Sequence, residues 1–431
     1  MVERSGNPDD GRPLKIGLIA PPVSAIPPIG YAGTERIVAV LANGLHERGH
    51  QVTVFAAGDS ELPCEVVPVV PASLWKRGLR GTLRPFIDLS VARAWQECHR
   101  FDVLNAHVET AAFQMARYSG VPVVSTFHQR LDADGVADLI DAFPDIPLIA
   151  ISESQRRWSP NANWIATIHH GLDFTDTPSR DKPGDYLLLV GRISREKGIA
   201  AAIELATRTH HKLVIAAKVR EHEEQALFDD VVQPAIEAGV VDWRGEVTGA
   251  ERDELMAGAL ATVMLGAWPE PFGLVAIESM ATGTPVIARR AGACTETIEH
   301  GVTGFLVDDA EEARLALERI PALDRRLIRS TARERFSAER MVEGYEAAFR
   351  TLLRQRETHA IGDPREIAET VSTIVRSIPK LETSTTGRTG GFKPVPVMAQ
   401  EATAASSRIR SGARPADGAE NRRDTRGVPP R

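Results

Sequence analysis

Two glutamates in one short segment have the residue type and the spacing to bind a ligand with hydroxyl groups at both ends. Prolines on either side of Glu270 keep this residue outside the helix that the following apolar run predicts. Glu278 then lies about two turns inside that helix, at ~3.6 residues per turn. The free N–H groups at the helix start, near Phe272, Gly273 and Leu274, favour an anion. The segment predicts a ligand in which phosphates join two hydroxylated groups, such as a sugar and a ribose. Alternatively, Glu270 only caps a surface helix that carries Glu278.

Two cations are well placed for the phosphates of the same ligand. Arg192 and Lys197 follow a predicted strand over residues 186–190 and stand beside a predicted helix start. Arginine can grip phosphate oxygens through two parallel hydrogen bonds, and lysine adds a point charge. Together they would stabilise the charge that develops when a nucleoside diphosphate leaves. The alternative is a pair of solvated charges on a surface loop.

A glycine-containing loop at residues 28–35 follows the first predicted strand. Gly30 and Gly33 would let the backbone approach a ligand closely, and the start of the next predicted helix would face an anion. The spacing is not the GxGxxG fingerprint of dinucleotide-binding folds. The loop is therefore either a ligand-binding loop or an ordinary glycine turn before a helix.

His128 lies just after a predicted strand over residues 121–126. Ligands of parallel sheets bind at the carboxyl ends of the strands, which makes His128 a candidate active-site residue. A histidine in this position can equally be a hydrogen-bonded residue of the core or rim. His107, His169 and His170 are weaker candidates, and the sequence has no pattern with the spacing of a metal site. We expect a metal-independent site without a cofactor, in which protein cations take the place of the ion.

Strand and helix patterns alternate along the chain in two successive series. In the first series, strands are predicted at residues 14–20, 52–55, 102–105, 121–126 and 148–151, with a helix at 35–48. In the second series, strands are predicted at residues 186–190, 213–217, 241–243, 262–265 and 285–288. Such alternation predicts parallel sheets covered by helices on both faces. The expected fold is α/β, with two Rossmann-like parallel-sheet domains that face each other across a cleft.

Length and composition restrict the class of protein. The 431 residues suffice for two domains, and a formal net charge of −7 argues against a nucleic-acid partner. The cysteines Cys64, Cys98 and Cys294 are scattered, as is common in reducing compartments. Residues 1–13 lack the apolar run of a secretory signal, and no segment approaches the roughly 20 apolar residues of a membrane span. The sequence predicts a cytoplasmic protein.

Taken together, these motifs resemble the retaining family 4 glycosyltransferases, which have the GT-B fold of two facing Rossmann-like domains. The similarity covers nearly everything from Leu14 to Arg356. The two glutamates are a hallmark of the family, and the resemblance implies that Glu270 contacts the donor sugar and Glu278 the ribose hydroxyls. It also implies that Arg192 and Lys197 bind the diphosphate. Gly33 would be the glycine of the first-domain loop, and His128 would be the active-site histidine.

The resemblance implies transfer of a hexose from a UDP- or GDP-sugar to a sugar, lipid or small-molecule acceptor. The acceptor hydroxyl would attack on the face that the nucleoside diphosphate leaves, so no carboxylate nucleophile is expected. Two other interpretations remain open: a GT-B epimerase or phosphorylase, and a nucleotide-sugar-binding protein without catalysis. A basic and aromatic segment at residues 75–86 could contact a membrane as a peripheral surface. A partly helical loop, interrupted by Gly78 and Gly81 and cut short by Pro85, is the alternative.

Two positions depart from the family pattern. The first-domain loop carries Ala32 before Gly33, where adjacent glycines are usual. After the strand at 213–217, Lys218 stands where the family has a glycine-rich turn. Because of the first difference, the resemblance does not define the contacts to the acceptor. Because of the second, it does not define the contacts to the nucleotide base.

The patterns and the resemblance together predict the domain boundaries. We expect, in chain order, a flexible N-terminus (1–13), an acceptor domain (14–172), a linker (173–184), a nucleotide-sugar domain (185–337), a helix that crosses back to the first domain (338–356), an uncertain helical extension (357–380) and a disordered tail (381–431).

Overall fold

The computed structural model describes residues 11–30, 32–81 and 83–360, with side chains described up to Gln355. The predicted tail at 381–431, most of the extension at 357–380 and most of the N-terminus at 1–13 lie outside these residues.

Two parallel sheets form the frame of the described chain. The first has the order β3-β2-β1-β4-β5-β6-β7 and the second the order β10-β9-β8-β11-β12-β13. The strands of the first sheet are β1 (Lys15–Ile19), β2 (Gln51–Ala57), β3 (Glu65–Val70), β4 (Val103–Ala106), β5 (Val123–Thr126), β6 (Leu148–Ala150) and β7 (Trp164–Thr167). Those of the second are β8 (Tyr186–Arg192), β9 (Lys212–Lys218), β10 (Val241–Trp243), β11 (Ala261–Met264), β12 (Val286–Arg289) and β13 (Gly304–Val307).

Helices cover the sheets and connect successive strands, which confirms the predicted pair of Rossmann-like domains. In chain order they are α1 (Gly33–Glu47), α2 (Arg84–Gln96), α3 (Phe113–Ala116), α4 (Val136–Ala142), α5 (Glu153–Arg156), α6 (Ile199–Thr209), α7 (His222–Leu227), α8 (Gln233–Glu237), α9 (Gly249–Gly258), α10 (Leu274–Ala281), α11 (Cys294–Thr297), α12 (Ala310–Arg319), α13 (Arg325–Arg335) and α14 (Ala338–Ala360).

The strands that the sequence analysis missed are β3, β7 and β13, and all of them are edge strands. Strand β3 contains Pro68 and is only partly buried, and every residue of β7 is half-buried. Strand β13 has four residues, one of them Gly304. Edge strands are short or half-buried, so they lack the apolar run that marks a central strand.

The prediction that Pro85 shortens a helix is wrong, because Pro85 lies in the first turn of α2. Proline suits that position, since its fixed φ fits the helix and its missing N–H would have no partner there. Gly78 and Gly81 upstream have φ values of 72° and 86°, which glycine adopts without strain.

Residues 171–172 and 336–338, where the chain passes between the domains, run side by side. The Leu172 N–H donates to the Phe336 carbonyl at 2.9 Å, and the Ala338 N–H donates to the Leu172 carbonyl at 2.9 Å. A Cβ on Gly171 would lie 2.1 Å from the Ser337 carbonyl oxygen, so only glycine fits.

Helix α14 then packs on the first domain through one apolar face. Met341, Tyr345 and Phe349 are at most 1% exposed. Val342 approaches Gly44 of α1 so closely that a Cβ on that glycine would lie 2.5 Å from the valine side chain. The Tyr345 hydroxyl lies 3.4 Å from Thr126 Oγ1 at the end of β5.

Candidate active site

The carboxyl ends of central strands from both sheets border one cleft, and helix α10 begins inside it. Gly273 precedes α10 with φ 86°, a left-handed conformation that favours glycine. Phe272 is buried, and its ring lies 4.9 Å from that of His170 on the first-domain side. The start of α10, with Leu274, is thereby fixed between the two domains with its N–H groups at the cleft.

Lys197 and Glu270 form an ion pair through Nζ and Oε1. Their side chains are 20% and 17% exposed, so the pair is partly shielded from water. The pair borders a cavity of about 40 Å³ that Trp268 and Arg289 also line. The buried thiol of Cys294 lies at the same place, where burial and then the Glu270 charge raise its pKa to about 12. The structure thus brings two sequence-predicted residues together as an ion pair at one small cavity.

Arg192 lies apart from that pair. Its guanidinium contacts Glu196 and lies 3.9 Å from Glu224, and the side chain is 44% exposed. The two predicted phosphate-binding cations therefore stand at the same loop, but their side chains have different carboxylate partners.

Glu278 is 6% exposed and contacts two arginines through the same oxygen, Oε1. Arg36 comes from α1 of the first domain, and Arg252, at 2.9 Å, comes from α9 of the second. Burial and then the nearby Arg252 charge lower the pKa of Arg36 to about 10. The sequence analysis missed both arginines, because their sequence positions give no sign that they meet Glu278.

The glycine loop of the first domain reaches the second domain. A Cβ on Gly33 would lie 3.5 Å from Leu274 Cδ1, and a Cβ on Gly30 would lie 2.9 Å from Glu246 Oε1. A cavity of about 550 Å³ extends beside this loop, lined by Arg36 and Arg252 and by residues at the ends of β8 and β9, including Lys218. This space is large enough for part of a nucleotide.

His128 belongs to a cluster of buried imidazoles. Its Nε2 lies 2.8 Å from His107 Nδ1, and its ring stacks on His170 at 5.2 Å between centroids. Burial lowers the pKa of His128 to about 3 and also lowers the pKa values of His107 and His170, so all three imidazoles are neutral near pH 7. His128 Nδ1 has no hydrogen-bond partner among the described residues.

Two carboxyl groups of the first domain, one of them next to His128, are also shielded from water. Glu109, at φ 52°, accepts the His128 N–H at 3.2 Å, and burial raises the pKa of its carboxyl to about 7. Glu35 of α1 accepts the Ser24 N–H at 3.2 Å, and burial raises its pKa to about 7 as well. The first-domain side of the cleft thus holds ionisable groups, and their burial disfavours the charged form of each.

Further contacts hold the two domains together around the cleft. The Ser152 hydroxyl donates to the Pro271 carbonyl at 2.7 Å. Glu296 of the second domain accepts the Glu153 and Ser154 N–H groups at the start of α5, at 2.8 and 2.6 Å. The domains therefore also meet through contacts that do not involve the glycine loop.

Within the described residues, no group of three or more His, Cys, Asp or Glu side chains is placed to hold a metal ion. None of the helices in this part of the chain is long and apolar enough to cross a membrane.

Family models match most of the described chain. The model described as Glycosyltransferase Family 4 matches residues 31–181, and the model described as Glycosyl transferases group 1 matches residues 175–338. The D-inositol 3-phosphate glycosyltransferase of Frankia alni is 30% identical over 370 residues, covering 72% of this chain and 90% of the relative. The phosphatidyl-myo-inositol mannosyltransferase of Mycolicibacterium smegmatis is 28% identical, with 70% and 84% covered.

Solved structures share the fold. Sucrose-phosphate synthase from Thermosynechococcus elongatus aligns with a TM-score of 0.65 at 20% identity, covering 79% of this chain and 100% of that one. The Anabaena protein HepE, solved in complex with UDP-glucose, aligns with a TM-score of 0.60 at 19% identity, covering 78% and 98%. These similarities agree with the two facing sheets described above.

Proposed function

Because the chain belongs to the family 4 glycosyltransferases of the GT-B fold, we propose that it transfers a hexose from a UDP- or GDP-sugar to an acceptor hydroxyl with retention of configuration. The observation that carries this proposal is the Lys197–Glu270 pair at the start of α10, in the cleft between the two sheets. A cation, a carboxylate and free helix N–H groups meet there, as a sugar diphosphate requires.

Each donor group has a candidate partner. Glu270 accepts hydroxyl hydrogens of the donor sugar, while Lys197 and Arg192 turn toward the diphosphate. The backbone N–H groups of residues 272–274 add neutral donors to the same oxygens. Glu278 accepts ribose hydroxyl hydrogens; a carboxylate has about four lone-pair sites, so it can do this without losing Arg252. HepE binds UDP-glucose, which makes UDP the first nucleotide to test.

Transfer proceeds on one face of the donor sugar. The bond from the anomeric carbon to the diphosphate oxygen breaks, and the acceptor oxygen bonds to the same face. The acceptor proton passes to the departing phosphate oxygen, so no carboxylate nucleophile is needed. Glu270 and Glu278 lie on one loop and helix, unlike the opposed carboxyls of glycosidases. His128, held neutral by burial, contributes a hydrogen bond to the sugar rather than a charge.

Protein cations stabilise the leaving diphosphate, so the reaction needs no metal and no further cofactor. The relatives named above act, by their names, on inositol 3-phosphate and phosphatidyl-inositol, and a hydroxylated acceptor suits the same cleft. We place the reaction in the cytoplasm, where nucleotide sugars are made.

Nucleotide binding tests the donor assignment directly. UDP or GDP should raise the melting temperature by several degrees, because a ligand of the native state stabilises it by mass action. Lys197→Ala should remove most of this shift and lower turnover by about 100-fold or more. The exposed Lys182→Ala variant is the matched control and should keep both. Nucleotide stabilisation that persists undiminished in both Lys197→Ala and Arg192→Ala would overturn the assignment.

A further inference from the structure

Two exposed tryptophans, one from each domain, flank one arginine. Trp158 and Trp268 are 46% and 37% exposed, whereas most large apolar side chains of the described chain are buried. The Arg130 guanidinium carbon lies 3.8 Å from the ring centroid of Trp268 and 5.8 Å from that of Trp158. The rings come from different domains, so the cluster spans the cleft.

The segments that carry the two rings are fixed by other contacts. Trp158 follows α5, whose preceding Ser152 hydroxyl donates to the Pro271 carbonyl at 2.7 Å. Trp268 is three residues upstream of that proline. Its side chain also lines the small cavity beside Lys197 and Glu270. A ligand held against Trp268 would therefore lie next to the proposed donor-sugar site.

The arginine between the rings has a carboxylate partner. Arg130 forms an ion pair with Asp132, and both side chains are less than one-fifth exposed. Asp134 lies two residues further along the same loop and is exposed. A planar guanidinium and carboxylates can donate to and accept from several neighbouring hydroxyls at once.

This combination fits a pyranose ring better than a lipid chain. A pyranose offers C–H groups on its ring faces, which pack on the negative face of an aromatic ring, and hydroxyls at its rim, which reach planar polar groups. An acyl chain would need a continuous apolar surface, whereas here a guanidinium lies between the two rings. The position next to the donor sugar is also where an acceptor must bind for its hydroxyl to reach the anomeric carbon.

We propose that Trp158 and Trp268, held by Arg130, form the acceptor subsite, and that the acceptor is a saccharide whose pyranose ring stacks on them. This inference rests on the proposed transferase function and narrows its acceptor from sugar, lipid or small molecule to a saccharide.

Saturation-transfer NMR tests the subsite with defined probes. The full chain, saturated with UDP or GDP, is titrated with the methyl glycosides of glucose, mannose, galactose and N-acetylglucosamine. At least one glycoside should receive saturation at its ring C–H protons, and its dissociation constant should rise roughly tenfold in Trp268→Ala and in Trp158→Ala. Trp268→Phe should keep most of the binding. Tyr118→Ala, at an aromatic ring that is 82% exposed elsewhere on the first domain, is the matched control and should bind as wild type does.

The outcomes separate this proposal from the donor assignment. The subsite would be overturned if no glycoside bound, or if wild type and both alanine variants bound equally well. Nucleotide stabilisation that remained intact in the same samples would leave the donor assignment standing. Loss of nucleotide stabilisation in Trp268→Ala would place this ring in the donor site and overturn the proposal as well. Co-sedimentation with phosphatidylglycerol vesicles that either alanine variant abolishes would show a membrane contact instead. Absence of nucleotide binding in the wild type would refute the proposed function itself.

Discussion

The second-domain side of the cleft carries paired charges, whereas the first-domain side carries ionisable groups that burial keeps neutral or makes costly to charge. On the second-domain side, Lys197 contacts Glu270, and Glu278 contacts two arginines. On the first-domain side, His128 stacks in a cluster of buried imidazoles near Glu109. We call these the charged wall and the histidine wall.

The difference shows how one cleft can serve both parts of a sugar nucleotide. A diphosphate is negatively charged. When it binds at the charged wall, a protein cation can exchange its carboxylate partner for a phosphate oxygen. A sugar is neutral, and a buried wall of neutral imidazoles can hydrogen-bond it while keeping water away from the reacting carbon. The same Glu→Gln substitution should therefore act differently on the two walls.

On the charged wall, Glu278→Gln should have the largest effect. The substitution leaves Arg36 and Arg252 around a neutral amide in a buried place, which should lower the free energy of unfolding by about 3 kcal/mol. Urea unfolding between pH 6 and 8 measures the loss. Addition of Arg36→Ala should recover part of it, because one unpaired guanidinium is then gone. Fully additive losses in the double variant would contradict the cross-domain contact.

On the histidine wall, Glu109→Gln should show an effect that depends on pH. The folded-state pKa of Glu109 is about 7, above the ordinary value of 4.5, so this carboxyl contributes stability at low pH that is lost as the pH rises from 4.5 through 7. Glutamine does not titrate. The unfolding free energy of the variant relative to wild type should therefore increase, by up to about 3 kcal/mol, between pH 4.5 and 8.

Glu35→Gln should show the same trend, because burial raises the pKa of that carboxyl to about 7 as well. Urea unfolding at several pH values measures both variants. A difference from wild type that stays constant across this range would show that burial on the first-domain side does not suppress charge, and the contrast between the two sides of the cleft would disappear.

The smallest effect should come from a chelator. If Lys197 and its neighbours supply the positive charge for the leaving diphosphate, turnover of a nucleotide sugar in excess EDTA should equal turnover without it. Product formation measured by mass spectrometry gives the rate. Loss of activity that Mg²⁺ or Mn²⁺ restores would mean that the cations of the charged wall do not suffice.

The sequence was sufficient to predict the two parallel sheets and the placement of two glutamates within one local segment. Glu270 and Glu278 share a segment with the start of α10, so their spacing alone places one before the helix and the other inside it. Central strands such as β1 and β9 were predicted because they contain continuous runs of residues without polar side chains.

The contacts between distant segments could not be predicted in this way. Arg36 meets Glu278 across 242 positions of the chain, and only the packing of the two domains brings them together. The stacking of His128 on His170 likewise depends on the path of the chain after β7. The local pattern of apolar residues predicts the type of element and the face that is buried. It carries no information about which side chain from a distant segment lies across the cleft.

The side-by-side passage of residues 171–172 and 336–338 between the domains has a mechanical consequence. A single linker would let one domain rotate and twist freely about the other. Here two segments are joined by hydrogen bonds through Leu172, so they act as one axis of rotation. Any rotation that opened the cleft would be centred on this pair of segments, which limits the relative orientations open to the two domains. The fewer orientations the domains can take, the less orientational entropy is lost when the charged and histidine walls come together around a ligand.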